Sequence, residues 1–122
     1  MLSFFQGQEI IKKYKLPVPS QKLISSLKEA EAFARNKGYP LVLKVISSKL
    51  IHKSEFKAVI VDIRNEFELR KAWKELEKII DRKTVRENLE GILVQKFISG
   101  KEVIIGGKQD QIFGPVLMFG LG

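Results

Sequence analysis

Apolar residues recur at two different periods along this chain. At helical spacing stand Ile10, Ile11 and Tyr14, then Leu27, Ala30, Phe33 and Ala34, then Leu69, Ala72, Trp73, Leu76, Ile79 and Ile80. The first set predicts a helix over 3–14, weakened by Gly7. Leu16-Pro17-Val18-Pro19 stops it, because proline has no backbone N–H to donate. Ser26 with Glu29, and Asn65 with Glu68, have the spacing of capping boxes and open the second and third helices. Gly38 supplies a C-terminal stop for the second. Short apolar runs read instead as strands: 41–46, 58–63, and three more near 91–97, 102–106 and 115–119. Residues 81–90 are charged and read as a loop.

The order is helix, helix, strand, strand, helix, then three strands joined by short glycine-bearing links that favour hairpins. That order predicts an α+β fold, a mostly antiparallel sheet with helices packed on one face. A length of 122 residues without a linker or repeat makes 1–122 a single domain.

Composition narrows the function classes. The chain has no cysteine, which removes disulfides, thiolate metal sites and a cysteine nucleophile. No apolar run approaches the ~18 residues of a membrane span, and the N-terminus lacks a secretory pattern, so a cytoplasmic location is expected. A charged fraction of 30% rich in Lys and Glu fits a heat-adapted protein. The net charge of +8 favours anionic partners. The basic residues are dispersed and no nucleic-acid-binding motif accompanies them, so nucleic acid ranks last among those partners.

A few polar residues stand where chemistry would need them. Lys44 interrupts Leu41-Val42-Leu43-Lys44-Val45-Ile46. It reads equally as a snorkelling or ion-paired cation and as a phosphate ligand in a partly dry cleft. His52, the single histidine, lies between Lys49 and Lys53 in a polar loop. Neutral imidazole is a nucleophile near neutral pH and flanking ammonium groups suit a phosphoryl group, although such a loop histidine is more often simply solvated. Glu102 opens a strand, where it could bind ribose hydroxyls or face solvent. Asp110 precedes Phe113-Gly114-Pro115 and reads as a turn residue bonding its own backbone.

Taken in order, several segments resemble the ATP-grasp domain of the NDP-forming acyl-CoA synthetases, the group that includes succinyl-CoA synthetase and ADP-forming acetyl-CoA synthetase β subunits. They are Tyr14-Lys15-Leu16-Pro17-Val18-Pro19, Gly38-Tyr39-Pro40-Leu41-Val42-Leu43-Lys44-Val45, Ile51-His52-Lys53-Ser54-Glu55, Leu93-Val94-Gln95-Lys96, Gly100-Lys101-Glu102, and Phe113 through Gly122. The resemblance covers nearly the whole chain and implies the N-terminal lobe of that fold.

That resemblance implies roles residue by residue. Lys44 would contact nucleotide phosphates. His52 would accept phosphate from a partner's phosphohistidine and pass it to ADP. Gln95, Lys96, Phe97 and Ile98 would form the hinge along the adenine, and Glu102 would lie near the nucleotide. The implied reaction is acyl-CoA + ADP + phosphate giving acid + CoA + ATP, with magnesium. The implied partners are an α-type CoA-binding subunit or domain and a second ATP-grasp lobe carrying the acidic magnesium ligands, without which the chain would be inactive. Apolar strands meant to face that lobe would drive self-association in isolation.

Three features depart from the family pattern. Lys57 and Ala58 stand where a glycine pair is usual, and their side chains would restrict backbone approach to phosphates. Gln109-Asp110-Gln111 replaces Arg-Asp-Pro, losing a positive charge. The chain stops where the family continues. These motivate a competing expectation, a non-catalytic interaction module that keeps the fold; non-specific polyanion binding is the third.

Overall fold

The structure, a computed structural model, describes residues 4–47, 58–81 and 83–122. In chain order the elements are α1 (Phe4–Lys13), β1 (Gln21–Ile24), α2 (Leu27–Lys37), β2 (Leu41–Ser47), β3 (Val59–Ile63), α3 (Glu66–Ile80), α4 (Lys83–Glu87), β4 (Leu89–Lys96), β5 (Val103–Asp110) and β6 (Gly114–Leu121). Strands β1-β4-β2-β3 form one sheet in that spatial order, and β5-β6 form a separate hairpin; every pairing is antiparallel.

Local sequence sets the helix starts. The Glu29 N–H donates to Ser26 Oγ at 3.3 Å, and the Glu68 N–H donates to Asn65 Oδ1 at 2.9 Å. In both boxes the return bond lands one residue earlier than the cap: Ser25 N–H donates to Glu29 at 2.7 Å and Arg64 N–H to Glu68 at 3.1 Å. Each box therefore satisfies a backbone donor on either side of the cap. Gly38, at φ 81, closes α2 with its N–H on Ala34 O.

The core lies between the sheet and the helix pair α2 and α3. Leu41, Leu43 and Val45 of β2, with Ile92 and Val94 of β4 and Ile24 of β1, pack against Ala30, Phe33, Leu69, Trp73 and Leu76. Helix α2 lies over β1 and β4, and α3 lies over β2 and β3. Arg70 ties the two helices, reaching Glu66 at 2.7 Å and Glu31 at 3.5 Å.

Two bulges adjust the sheet. Between Leu41 and Leu43 of β2, β3 places two residues, Val61 and Asp62, with Asp62 at φ 54. Between Ile46 and Ser47, β4 carries Glu90 as an extra residue beside Gly91 at φ 147. A Cβ on Gly91 would meet Leu23 at 3.1 Å and Ile24 O at 3.2 Å, tighter than ordinary contact, and φ 147 is itself strained for a residue with a side chain.

The sequence expectations need four corrections. Strand β1 was not expected. Residues 81–90 are not all loop: they contain α4, whose Val85 is buried, and the start of β4. Helix α1 reaches the sheet face opposite α2 and α3, as described below. The last three strands do not form consecutive hairpins, because β4 lies between β1 and β2 and has no edge left for β5.

Candidate functional site

Side chains alternate across a strand, and directly paired residues share a face. With Leu41, Leu43 and Val45 in the core, Val42, Lys44 and Ile46 face the other way. Lys44 pairs with Leu93, and Val42 pairs with Gln95. Lys44 and Gln95 are therefore diagonal neighbours on the same face, their Cβ atoms roughly 7–8 Å apart. Val42, Ile46 and Leu93 are buried there, and Lys44 and Gln95 are half-buried among them. Lys44 and Gln95 thus stand beside Val42, Ile46 and Leu93 on a partly buried face, where charge–anion attraction is stronger than in open water.

Gln95 does not stand alone. It pairs with Gln21 of β1 in the sheet register. The Gln95 Nε2 donates to Gln21 Oε1, and the Gln21 Nε2 donates to Gln8 Oε1 of α1 at 2.8 Å. Three half-buried carboxamides thus run from α1 across β1 to β4.

The four residues expected to form the hinge divide. Lys96 has the opposite parity from Gln95 and pairs with Leu41 on the helix side. Its ammonium donates to the Tyr39 carbonyl in the turn before β2, so it does not join Lys44. The Lys96 N–H donates to Ser20 O at 2.8 Å and the Phe97 N–H to Pro40 O at 2.9 Å. Phe97 lines an open pocket of about 560 Å³ with Tyr39, Pro40, Asp62, Arg64 and Ser99. In that pocket Arg64 grips Asp62 through Nε at 3.1 Å and a terminal nitrogen at 2.8 Å. Burial, followed by the Glu66 and Glu31 carboxylates, raises the Tyr39 phenol above its ordinary value, with Arg35 and Arg70 opposing. Ile98 is exposed.

Glu102 is exposed and stands just before the β5–β6 hairpin; its carbonyl accepts from Gly122 N–H at 3.0 Å. His52, Lys49, Lys53 and Lys57 lie outside the described residues. Ala58 is fully buried within the core cluster. Its methyl group points into the protein and does not obstruct a ligand on the Lys44 face, contrary to the expectation from sequence. Asp110 is the turn residue expected: its carboxylate accepts from Ile112 N–H at 2.8 Å and Phe113 N–H at 2.9 Å. Those bonds, the Phe113 one foremost, lower its pKa.

One face of the hairpin carries Val103, Ile105, Leu117, Phe119 and Leu121, paired Val103 with Leu121 and Ile105 with Phe119, and all five are exposed. Among the described residues, no cluster of three Asp, Glu or His side chains is placed to hold a metal ion. No helix among them is long and apolar enough to cross a membrane. Sequence reasoning missed Gln8 and Gln21. Gln21 is separated from Gln95 by 74 positions, and only the sheet register brings them together.

The ATP-grasp domain family matches residues 1–122. The β subunit of acetate–CoA ligase (ADP-forming) II from Pyrococcus furiosus is 37% identical over 119 residues, which are 97% of this chain and 50% of that subunit. An acetyl-coenzyme A synthetase 1 structure from Ca. Korarchaeum cryptofilum, in complex with coenzyme A and Ca-AMPCP, superposes with a TM-score of 0.83 at 42% identity, over 97% of this chain and 52% of that one. A second structure of that enzyme, with coenzyme A and Mg-AMPPCP and its phosphohistidine segment pointing towards the nucleotide binding site, gives 0.70 at 37% identity, over 100% and 50%. The chain thus spans about half the length of the relatives it matches. It belongs to the ATP-grasp domain family, as an N-terminal part of the kind found in ADP-forming acetyl-CoA synthetase β subunits.

Proposed function

We propose that this chain forms the base- and phosphate-facing wall of the nucleotide cleft in an ADP-forming acyl-CoA synthetase. The observation that carries the reading is the placement of Lys44 beside Gln95 on one sheet face, with the chain running directly from Gln95 into the hinge 96–98. An ammonium fixed on a half-buried apolar face neutralises phosphate oxygens without reorganising solvent. With the Lys96 and Phe97 N–H groups already engaged, reading of the base edge falls to the Gln95 carboxamide, the hinge carbonyls and the Ile98 N–H.

His52 is the phosphate relay in this reading. Its imidazole nitrogen attacks the phosphorus of a phosphohistidine on the CoA-binding partner, and the partner's P–N bond breaks as a new one forms. A β-phosphate oxygen of ADP then attacks the same phosphorus, releasing ATP and neutral imidazole. Lys44 stabilises the charge on the transferring oxygens. Magnesium, when bound, would neutralise charge on the phosphate oxygens, with its acidic ligands supplied by the second lobe. The exposed apolar face of the hairpin is the surface that lobe covers.

The test is reconstitution. The chain is combined with the second ATP-grasp lobe and the CoA-binding partner of a relative, and ATP formation from acyl-CoA, ADP and phosphate is followed. Lys44→Met is expected to lower turnover by about a hundredfold or more, and His52→Ala to abolish it. Full activity in His52→Ala would sink the relay. No calorimetric binding of ADP with magnesium in the assembled complex would make the chain an interaction module instead.

A further inference from the structure

At one corner of the fold the hydrophobic core comes to the surface. Leu27 at the start of α2, Ile80 at the end of α3 and Leu89 at the start of β4 pack against the core but are only half-buried. All three line a groove of about 520 Å³, with Ile24, Ile92 and Trp73 also on its walls. The groove lies at the end of the sheet remote from Gln95: Ile24 pairs with Ile92 there, whereas Gln21 pairs with Gln95. It is on the helix side of the sheet, so its occupant does not compete with a ligand beside Lys44.

Its charge runs against that of the protein. The chain carries a net +8, yet among the described residues the charged ones lining the groove are Glu77 and Glu90. Both are exposed, and neither forms an ion pair among the described residues. Glu90 is the extra residue of the bulge in β4, and a bulge re-aims a side chain. Glu77 stands in the last turn of α3, where the free helix carbonyls already carry partial negative charge. The positive start of α2, on the same groove, is offset locally. Ser26 Oγ accepts from the Glu29 N–H, and the Glu29 carboxylate accepts from the Ser25 N–H. An apolar floor is thus joined to a negative rim.

We propose that this groove docks a partner protein that inserts an apolar side chain flanked by lysine or arginine. The apolar group covers Leu27, Ile80 and Leu89, and the flanking cations meet Glu77 and Glu90. The exposed rim decides between a partner and a small ligand. A bound small molecule is usually enclosed on nearly all sides, which a groove with an open rim does not offer. A side chain standing on a partner's surface brings its own cover.

Trp73 is the single tryptophan of the sequence, so its emission reports on this groove. The full chain is titrated with a short, acetylated and amidated peptide alternating arginine with leucine, at about 50 mM salt where surface charges are weakly screened. The controls are the same peptide with serine in place of arginine, and cyclohexylammonium. Amide shifts of the ¹⁵N-labelled chain at 24–27 and 89–92 locate the contact. The variants are Glu77→Gln, Glu90→Gln, the two together, and Ile80→Ser, each checked by melting. The glutamine variants change exposed positions and keep the test open if Ile80→Ser does not fold.

The arginine peptide should give a saturable change in Trp73 emission and bind about tenfold tighter than the serine peptide. Each glutamine substitution should weaken it by about twofold to fivefold, and the pair should bring the two peptides close together. Ile80→Ser should weaken both peptides by roughly tenfold. No change at millimolar peptide, or equal binding of the two peptides to the unmodified chain, would overturn the proposal. So would cyclohexylammonium binding as tightly as the arginine peptide, which would assign the groove to a small amine. A shift in Trp73 emission with chain concentration alone would assign it to a second copy and overturn the proposal as well.

Discussion

Replacing Leu117 and Phe119 with lysine should abolish self-association of the isolated chain without weakening its fold. Leu117 is 84% exposed and Phe119 73%, on the same hairpin face as Val103, Ile105 and Leu121. Fully burying one such side chain contributes about 1.5–3 kcal/mol. Since both side chains are mostly exposed, most of that gain remains available to whatever covers the face. In a symmetric pair of copies each substitution counts twice, so the two together remove roughly 5–10 kcal/mol of gross interaction. Association itself costs on the order of 4–15 kcal/mol, so a micromolar dimer, about 8 kcal/mol net, would not survive the loss. The measurement is sedimentation velocity from about 1 to 200 µM, the span bracketing a micromolar constant. The unmodified chain should shift to larger species with concentration and the double variant should remain monomeric. Melting temperatures of the two should agree closely, because exposed substitutions cost within about 0.5 kcal/mol. A monomeric unmodified chain across that range would refute the reasoning. Unchanged association in the variant would place the contact elsewhere.

Gly91→Ala should destabilise the chain by about 1–3 kcal/mol in urea unfolding, since φ 147 is strained for alanine and a methyl group would crowd Leu23 and Ile24 at 3.1–3.2 Å; an unchanged midpoint would contradict that strain. Asn65→Ala should cost about 1 kcal/mol through the lost cap on α3, with Asn65→Asp close to neutral in the same assay. The Asp110 carboxyl, whose folded pKa is depressed, contributes stability that is fully present above its unfolded value of about 3.9 and is lost as pH falls through the folded value. A ¹³C titration of that carboxyl should show the low pKa, and Asp110→Asn, which still accepts both turn N–H groups, should flatten the hairpin's acid response. Leu43→Ala, at a fully buried position in the central strand, should cost about 2–5 kcal/mol.

Much of this fold was legible because its signals are local. The two capping boxes, the stripe of α3 and the run 41–46 each announce themselves within one or two turns of chain, and the structure keeps them. Strand β1 was not legible: Gln-Lys-Leu-Ile is four residues long, and it becomes a strand because β4 pairs with it. The layout of the last strands failed for a related reason. Glycine links suggested neighbours in space, but both edges of β4 were already taken by β1 and β2. The site divides in the same way. The odd position of Lys44 in an apolar run was visible in sequence, whereas the separation of Lys96 from Gln95 depends on strand parity and a bond to Tyr39. Gln8 and Gln21 carry no local signature at all, since their significance comes entirely from register.

The backbone of Lys96 and Phe97 is pinned on both sides, to Ser20 and to Pro40, while the hairpin that follows draws its pairing only from itself. In mechanical terms the end of β4, held at Lys96 and Phe97, is a fulcrum for the segment that follows it. Points near a fulcrum travel least as a lever swings. A base resting along 95–98 would keep its contacts through any swing of the hairpin and whatever packs on it, while the phosphate end, farther out, would take up the movement. Opening to admit a phosphoryl donor would then not require release of the nucleoside.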